Sequence, residues 1–247
     1  MGKGWAKGLT AATDPRIARA AAAHRGKIYE RRTPIELCRW NLAGYTTLPL
    51  SWSDEMAYVV GLTATDGCLV TGRRAINFKS GDRALVETYL RLLTQFHDSR
   101  LYEWFRSVGL TPRKSLTIGA LSAPNEFLMP LARGLLDGDG TILNKVYRAD
   151  TGRRSDYYWE YLTTRFISGS RRHLAWLQSR LATTTRQMGI LSEVKRKNPL
   201  PKRHPMYKLE FGKRSSVVLL PLIYPPGAPC LERKREIWEN YARRHRL

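Results

Sequence analysis

The sequence predicts an α+β fold built as two α-β-β-α-β-β-α halves, related by a pseudo-twofold and preceded by a basic N-terminal extension. Three observations carry that prediction. An apolar run ending in Asp-Gly occurs twice, at Val59-Val60-Gly61-Leu62-Thr63-Ala64-Thr65-Asp66-Gly67 and Ala132-Arg133-Gly134-Leu135-Leu136-Asp137-Gly138-Asp139-Gly140. Its glycine and its final acid keep one spacing, since 134 − 61 and 139 − 66 are both 73. A second echo, Phe78-Lys79-Ser80-Gly81-Asp82-Arg83 and Phe166-Ile167-Ser168-Gly169-Ser170-Arg171, recurs at an offset of 166 − 78, or 88, which implies a longer hairpin in the second half. An unusual element met twice implies two related halves. The boundaries are then 1–51 for the extension and linker, 52–125 for the first half and 126–247 for the second.

Residues 1–50 carry nine basic residues against three acids. Thr13-Asp14-Pro15 is a helix start, with a capping side chain followed by proline at the first helical position. The alanine-rich run 16–24 continues it, with little apolar surface to bury. This extension is either a solvated tail or an arm that orders along a polyanion. Ser53 or Asp54 caps the helix of the first repeated run, 54–66. Strands follow at Cys68–Thr71 and Ala75–Ser80, joined by Gly72-Arg73-Arg74. A helix from Asp82 to about His97 places Leu85, Tyr89, Leu92, Leu93 and Phe96 on one face. Strands are predicted at Tyr102–Val108 and Ser115–Leu121, and Asn125 caps the second repeated helix, 126–139.

The second half repeats the order. Thr141–Arg148 and Tyr157–Ile167 read as strands around a basic turn, Gly152-Arg153-Arg154. Arg171–Gly189 reads as a helix, Ser192–Lys197 and Tyr207–Phe211 as strands, and 215–224 and 231–245 as closing helices.

The repeated run is electrostatically awkward. Gly61 and Gly134 allow two such helices to approach backbone to backbone. Asp66 and Asp139 fall at the carboxyl ends, where the helix dipole is already negative. If the helices pair, the carboxylates converge and repel. A hard divalent cation resolves both problems and is commonly shared with phosphates. A single Asp-Gly after an apolar helix is ordinary capping; two copies with matched glycines are not.

These residues resemble the LAGLIDADG homing endonucleases in their single-chain, two-motif form. The likeness runs from about Trp52 to the C-terminus, closely at the second motif and more loosely at the first. Ala64 stands where the family often has an acid, and Thr63 and Thr65 replace apolar or small residues. The resemblance implies a site-specific enzyme that makes a staggered double-strand break in DNA by metal-dependent hydrolysis. It implies that Asp66 and Asp139, helped by the carbonyls of Thr65 and Gly138, hold Mg²⁺ or Mn²⁺. It also places basic and polar strand residues around the scissile phosphates. Lys79 and Lys208 hold the matching positions, with Asn77 and Lys114 behind them, while Ile167 occupies the repeat position of Lys79. Asp137 is expected to be structural or to support the site from behind.

Lys and Arg number 42 against 21 Asp and Glu, a net charge of +21, which points to a polyanionic partner. No run approaches ~18 uninterrupted apolar residues, which argues against a membrane. The N-terminus has no secretory core and is a poor myristoylation site. Cys38, Cys68 and Cys230 are scattered, with no zinc-like spacing, and read as free thiols of an intracellular protein. Strand alternation turns Ile76, Phe78, Leu116, Ile118, Leu162, Phe166, Leu209 and Phe211 inward. It turns Asn77, Lys79, Trp159, Tyr161, Thr163, Arg165, Lys195, Lys197, Lys208 and Glu210 outward. With the turn residues Arg73, Arg74, Arg153 and Arg154, that face is a candidate surface for the DNA major groove.

Two rivals share the fold: an RNA maturase that binds intron RNA, and a non-catalytic DNA-binding regulator, which would be expected to lack the acids. An intein is disfavoured by the Met-Gly start and the Arg-Arg-His-Arg-Leu end. Two motifs in one chain imply a monomer.

Overall fold

The computed structural model describes residues 12–24, 50–70, 75–93, 99–148, 158–194 and 204–247. The expected turn residues Arg73, Arg74, Arg153 and Arg154, and the strand residues Lys195 and Lys197, lie outside the described residues. Met1–Asn41 and Leu42–Leu247 are separate compact units. In the first, helix α1 spans Pro15–His24. Asp14 accepts from the Arg16 amide at 2.8 Å, as the sequence leads one to expect of a helix start.

The second unit is organised on two helices. Helix α2, Asp54–Thr65, is capped by Ser53, whose hydroxyl accepts from the Met56 amide at 3.1 Å. Asp54 and Glu55 favour its positive end. Every residue from Met56 to Thr63 is buried, so α2 is enclosed on all sides. Strands β1, Gly67–Val70, and β2, Ala75–Phe78, form a two-stranded antiparallel sheet, and helix α3, Arg83–Leu92, follows with Asp82 as its cap. Tyr89 of α3 stacks on Phe78 at 3.9 Å and donates to the buried Thr63 hydroxyl, which itself donates to the Val59 carbonyl.

The first half then departs from expectation. Tyr102–Val108 is not a strand; helix α4 spans Ser99–Ser107. Leu101, Tyr102, Phe105 and Val108 are buried together, a helical spacing that the aromatic content had disguised. Ser115–Leu121 is not a strand either. Residues 112–117 form turns, so Ile118 is buried as expected but Leu116 is 42% exposed. The carbonyls of this segment bond to side chains of the second half instead. Ser170 donates to Ile118 at 2.6 Å, His173 meets Gly119 at 2.7 Å and Arg180 donates to Ala123 at 2.7 Å.

Helix α5, Leu128–Gly138, begins after a 3₁₀ turn at Asn125–Phe127, and Phe127 rather than Asn125 holds the cap position. Strands β3, Thr141–Arg148, and β4, Tyr158–Ser168, form a long hairpin. Helix α6, Arg171–Thr185, stops short of Gly189, with Arg186 left-handed at φ 59°. Its last turn is rich in threonine, a weak helix former whose hydroxyls bond back to the helix carbonyls. Strand β5 is Ile190–Glu193 and begins earlier than expected; β6 is Tyr207–Phe211. The sheet order is β3-β4-β6-β5, all antiparallel. Helices α7, Lys213–Ile223, and α8, Glu232–His245, close the chain. The second half thus runs α-β-β-α-β-β-α, and the two closing helices expected at 215–224 and 231–245 are α7 and α8. No helix among the described residues is long and apolar enough to cross a membrane.

Candidate active site

The two glycines set the geometry. A Cβ added at Gly61 would lie 2.9 Å from both the Gly134 Cα and the Leu135 nitrogen. One added at Gly134 would lie 2.9 Å from the Gly61 Cα and 2.8 Å from the Leu62 nitrogen. The contact is reciprocal, since 135 − 62 repeats the sequence offset of 73. Further along, a Cβ at Gly138 would press to 2.6 Å from the Thr65 Cβ. So α2 and α5 run side by side, and their carboxyl ends arrive together.

Asp66 and Asp139 cap those ends in one conformation, with φ −87° and ψ −9° for the first and φ −87° and ψ −8° for the second. Burial raises both carboxyls above the usual carboxylate range, and the charge of Asp139 raises Asp66 further. Ser80 donates to Asp66 and works the other way. Asp139 is open to solvent along one side, as ligand access requires, while the protein around the rest of it supplies the desolvation.

Each carboxyl end also holds a buried lysine. Lys114, 4% exposed, donates to the carbonyls of Gly67 at 2.5 Å and Thr65 at 3.4 Å. Lys234, also 4% exposed, donates to Leu136 at 2.6 Å, Gly140 at 2.7 Å, Asp137 at 2.9 Å and Gly138 at 3.4 Å. Thr65 and Gly138 are equivalent across the pseudo-twofold, and so are Gly67 and Gly140. Burial lowers both ammonium groups, Lys234 to about 8, while the neighbouring carboxylates pull them back up. Both lysines in turn lower Asp66 and Asp139. The site is therefore a paired quartet of two acids and two bases.

The sequence expectation places Lys114 behind Lys79 and Lys208 and does not include Lys234. A signal for Lys234 existed. Leu231, Lys234, Trp238 and Tyr241 share the buried stripe of the closing helix and its cap, and a lysine on such a stripe needs acceptors. Lys114 sits in a turn, where no periodicity marks it.

The lysines placed first are differently situated. The Lys79 amide donates to the Asp66 carbonyl at 3.3 Å, and its side chain is exposed beside the site. Lys208 lies on β6, paired with Glu210 at 2.9 Å. Arg165 shares that glutamate from the adjacent strand. Asn77 is exposed and Tyr161 partly so, on the outward face as expected. Thr163, expected to face outward, is instead 1% exposed, within a stretch, Leu162 to Thr164, that is buried on both faces. Asp137 is buried and fully engaged, accepting from Tyr224 at 2.6 Å and from Tyr58 and the Leu231 amide at 2.8 Å. It holds the closing segments onto α5 and is not free to bind a ligand.

The donor set suits a hard divalent cation. Two carboxylates and nearby carbonyls supply oxygen ligands, and burial makes their charge costly without a cation. Among the described residues no cluster of three His, Cys, Asp or Glu could enclose a metal.

The family model for the LAGLIDADG-like domain matches residues 53–122, the stretch that runs from the cap of α2 to just past Lys114. Residues 53–122 are therefore similar to a LAGLIDADG-like domain. The α5 run ending at Gly140, which repeats the glycine and acid of α2, lies outside that match. Among solved structures, the homing endonuclease I-TnaI is 16% identical over 50% of this chain and 71% of its own, with a TM-score of 0.33. The I-SmaMI LAGLIDADG homing endonuclease bound to cleaved DNA is 13% identical over 78% of this chain and 88% of its own, with a TM-score of 0.42. The same meganuclease bound to uncleavable DNA with a TTCT central four is 12% identical over 65% and 48%, with a TM-score of 0.35. No curated protein matches the chain.

Proposed function

We propose that this protein is a site-specific DNA endonuclease that cuts both strands of a long, asymmetric duplex target by metal-dependent phosphodiester hydrolysis. The observation that carries the proposal is the quartet: two carboxylates in one backbone conformation at the ends of paired helices, each backed by a buried lysine. Two equivalent acids suit two scissile phosphates on opposite strands. Both come from one chain, so the enzyme acts as a monomer, with residues 52–125 and 126–247 each covering one half of the target.

Asp66 and Asp139 would hold Mg²⁺ or Mn²⁺, with the carbonyls of Thr65 and Gly138 alongside. A divalent cation bound there supplies charge neutralisation and polarises a phosphoryl oxygen. The chain's own residues do the rest. Lys114 and Lys234 fix the backbone on either side of each acid and keep the carboxylates ionised. Lys79, exposed beside Asp66, contacts a phosphate near the cut. Lys208, Arg165, Asn77 and Tyr161 meet the groove, and Glu210 must yield its two cations when DNA arrives. Arg73, Arg74, Arg153, Arg154, Lys195 and Lys197 extend the same contact.

The test is cleavage selection on a randomised duplex library in Mg²⁺, with EDTA as control, for wild type and for Asp66→Asn and Asp139→Asn. Recurrent Mg²⁺-dependent ends from wild type, lost in both variants while DNA binding persists, is the expected result. A variant that cuts at the wild-type rate would remove its acid from the site. Retention of structured intron RNA with no cleavage of any duplex would replace this proposal with the maturase reading.

A further inference from the structure

The β3–β4 hairpin outgrows its sheet. Its strands pair from Thr141↔Arg165 to Arg148↔Tyr158, but β6 meets β4 only from Thr164 to Ser168. Beyond Thr164 the hairpin is a two-stranded ribbon among the described residues. Its back is covered in part, since Val146 and Tyr158 on that face are each 60% exposed. Glu160 and Asn144 bond to each other at 2.7 Å and to Arg244 of α8 at 2.7 and 2.6 Å, and His245 also bonds Glu160.

Its front is open and aromatic. Tyr147 and Trp159 are cross-strand partners and stack at 4.7 Å with 19° between planes. Tyr161 meets Trp159 at right angles, 6.1 Å away, and exposed Lys145 lies across from Tyr161. Tyr147 is 40% exposed and Trp159 44%. A stacked aromatic ridge left in water on a strongly basic protein calls for an apolar contact in a polyanion.

We propose that this ridge is a specificity contact that reads thymine methyl groups in the major groove. The inference rests on the DNA-binding reading above. A two-stranded β-ribbon fits the major groove, and the thymine C5-methyl is the apolar group displayed there. Tyr147 and Trp159 already stack on one another, so no base can enter between them. What they offer outward suits a groove wall better than an unpaired base. Lys145, exposed on the same face, flanks the ridge and suits an adjoining phosphate.

The experiment uses the full chain and the duplex target found by selection. Each thymine is replaced in turn by deoxyuridine, which removes the methyl and leaves base pairing intact. Wild type should lose affinity about fourfold at one or two thymines in the half-site covered by residues 126–247, the worth of one buried methyl, ~0.8 kcal/mol. Trp159→Ala, and independently Tyr147→Ser, should bind thymine and uracil targets equally at those positions. Uniform tolerance of uracil by wild type, or an unchanged penalty in both variants, would overturn the proposal while leaving the endonuclease reading standing. Binding of single strands in preference to the duplex would also overturn it, in favour of base stacking. Absence of any duplex binding would overturn both readings.

Discussion

At the scale of single residues, charge balance governs the site. Lys114 and Lys234 are buried and Asp66 and Asp139 partly desolvated, so the lysines are held by backbone carbonyls and by the charge of the acids beside them. Lys234 shows this most clearly, with its four carbonyl contacts at the end of α5. Lys234→Met keeps the length of the stem but leaves those carbonyls and Asp139 uncompensated. It should cost about 3 kcal/mol of stability, read from the denaturant midpoint, and abolish cleavage. Asp137 should behave differently from its neighbour Asp139. Asp137→Ala strands the hydroxyls of Tyr58 and Tyr224, and should cost stability of the same order even without DNA present. Asp139→Asn should leave the midpoint close to that of wild type, because solvent reaches its carboxyl.

At the scale of elements, the α2–α5 contact is the most demanding feature. Gly134→Ala forces a methyl against the backbone of α2, where nothing flexible can give way. It should destabilise the protein by about 2 kcal/mol or more and push the two carboxylates apart, so that residual folded protein cuts slowly. The hold of α8 on the hairpin should be sensitive to acid. Burial works against the charge of Glu160, but Asn144, His245 and Arg244 outweigh it and hold the carboxyl at about 2. A carboxyl depressed below its ordinary 4.5 contributes stability that is fully present above that value and is lost as pH falls toward 2. Glu160→Gln should therefore flatten the acid side of the stability curve across that window, measured by unfolding at fixed pH steps, and change little at pH 7 to 8 beyond a constant offset.

At the scale of the whole molecule, the net charge of +21 dominates encounter with DNA. Binding should weaken steeply with salt, by a factor on the order of 10³ or more between 50 and 200 mM if six or more phosphates are neutralised. Sedimentation of the complex should show one chain per duplex. The charge is not all available at once, however. Arg165 and Lys208 share Glu210, so part of the basic face is neutralised within the free protein. Glu210→Gln should release both cations and raise non-specific affinity, seen as a smaller discrimination between target and random duplex.

Much of this was legible in the residues alone. The equal offsets of Gly61 and Gly134, and of Asp66 and Asp139, already require two equivalent helices that can touch, because only glycine permits that approach. The hairpin of the second half and its inward and outward faces follow from strand alternation over long runs. The first half was harder to read. Residues 102–108 and 115–121 have strand-like composition, but no strand in the first sheet pairs with them. The first segment becomes a helix around Phe105, and the second a turn whose carbonyls serve α6. Lys114 and Lys234 stand 120 positions apart, with no common spacing to the motifs. Local patterns record what a segment can bury, and so they found the acids and the glycines. Which distant cation balances a buried carboxylate depends on how separate segments pack, and only folding brings those lysines to the two helix ends.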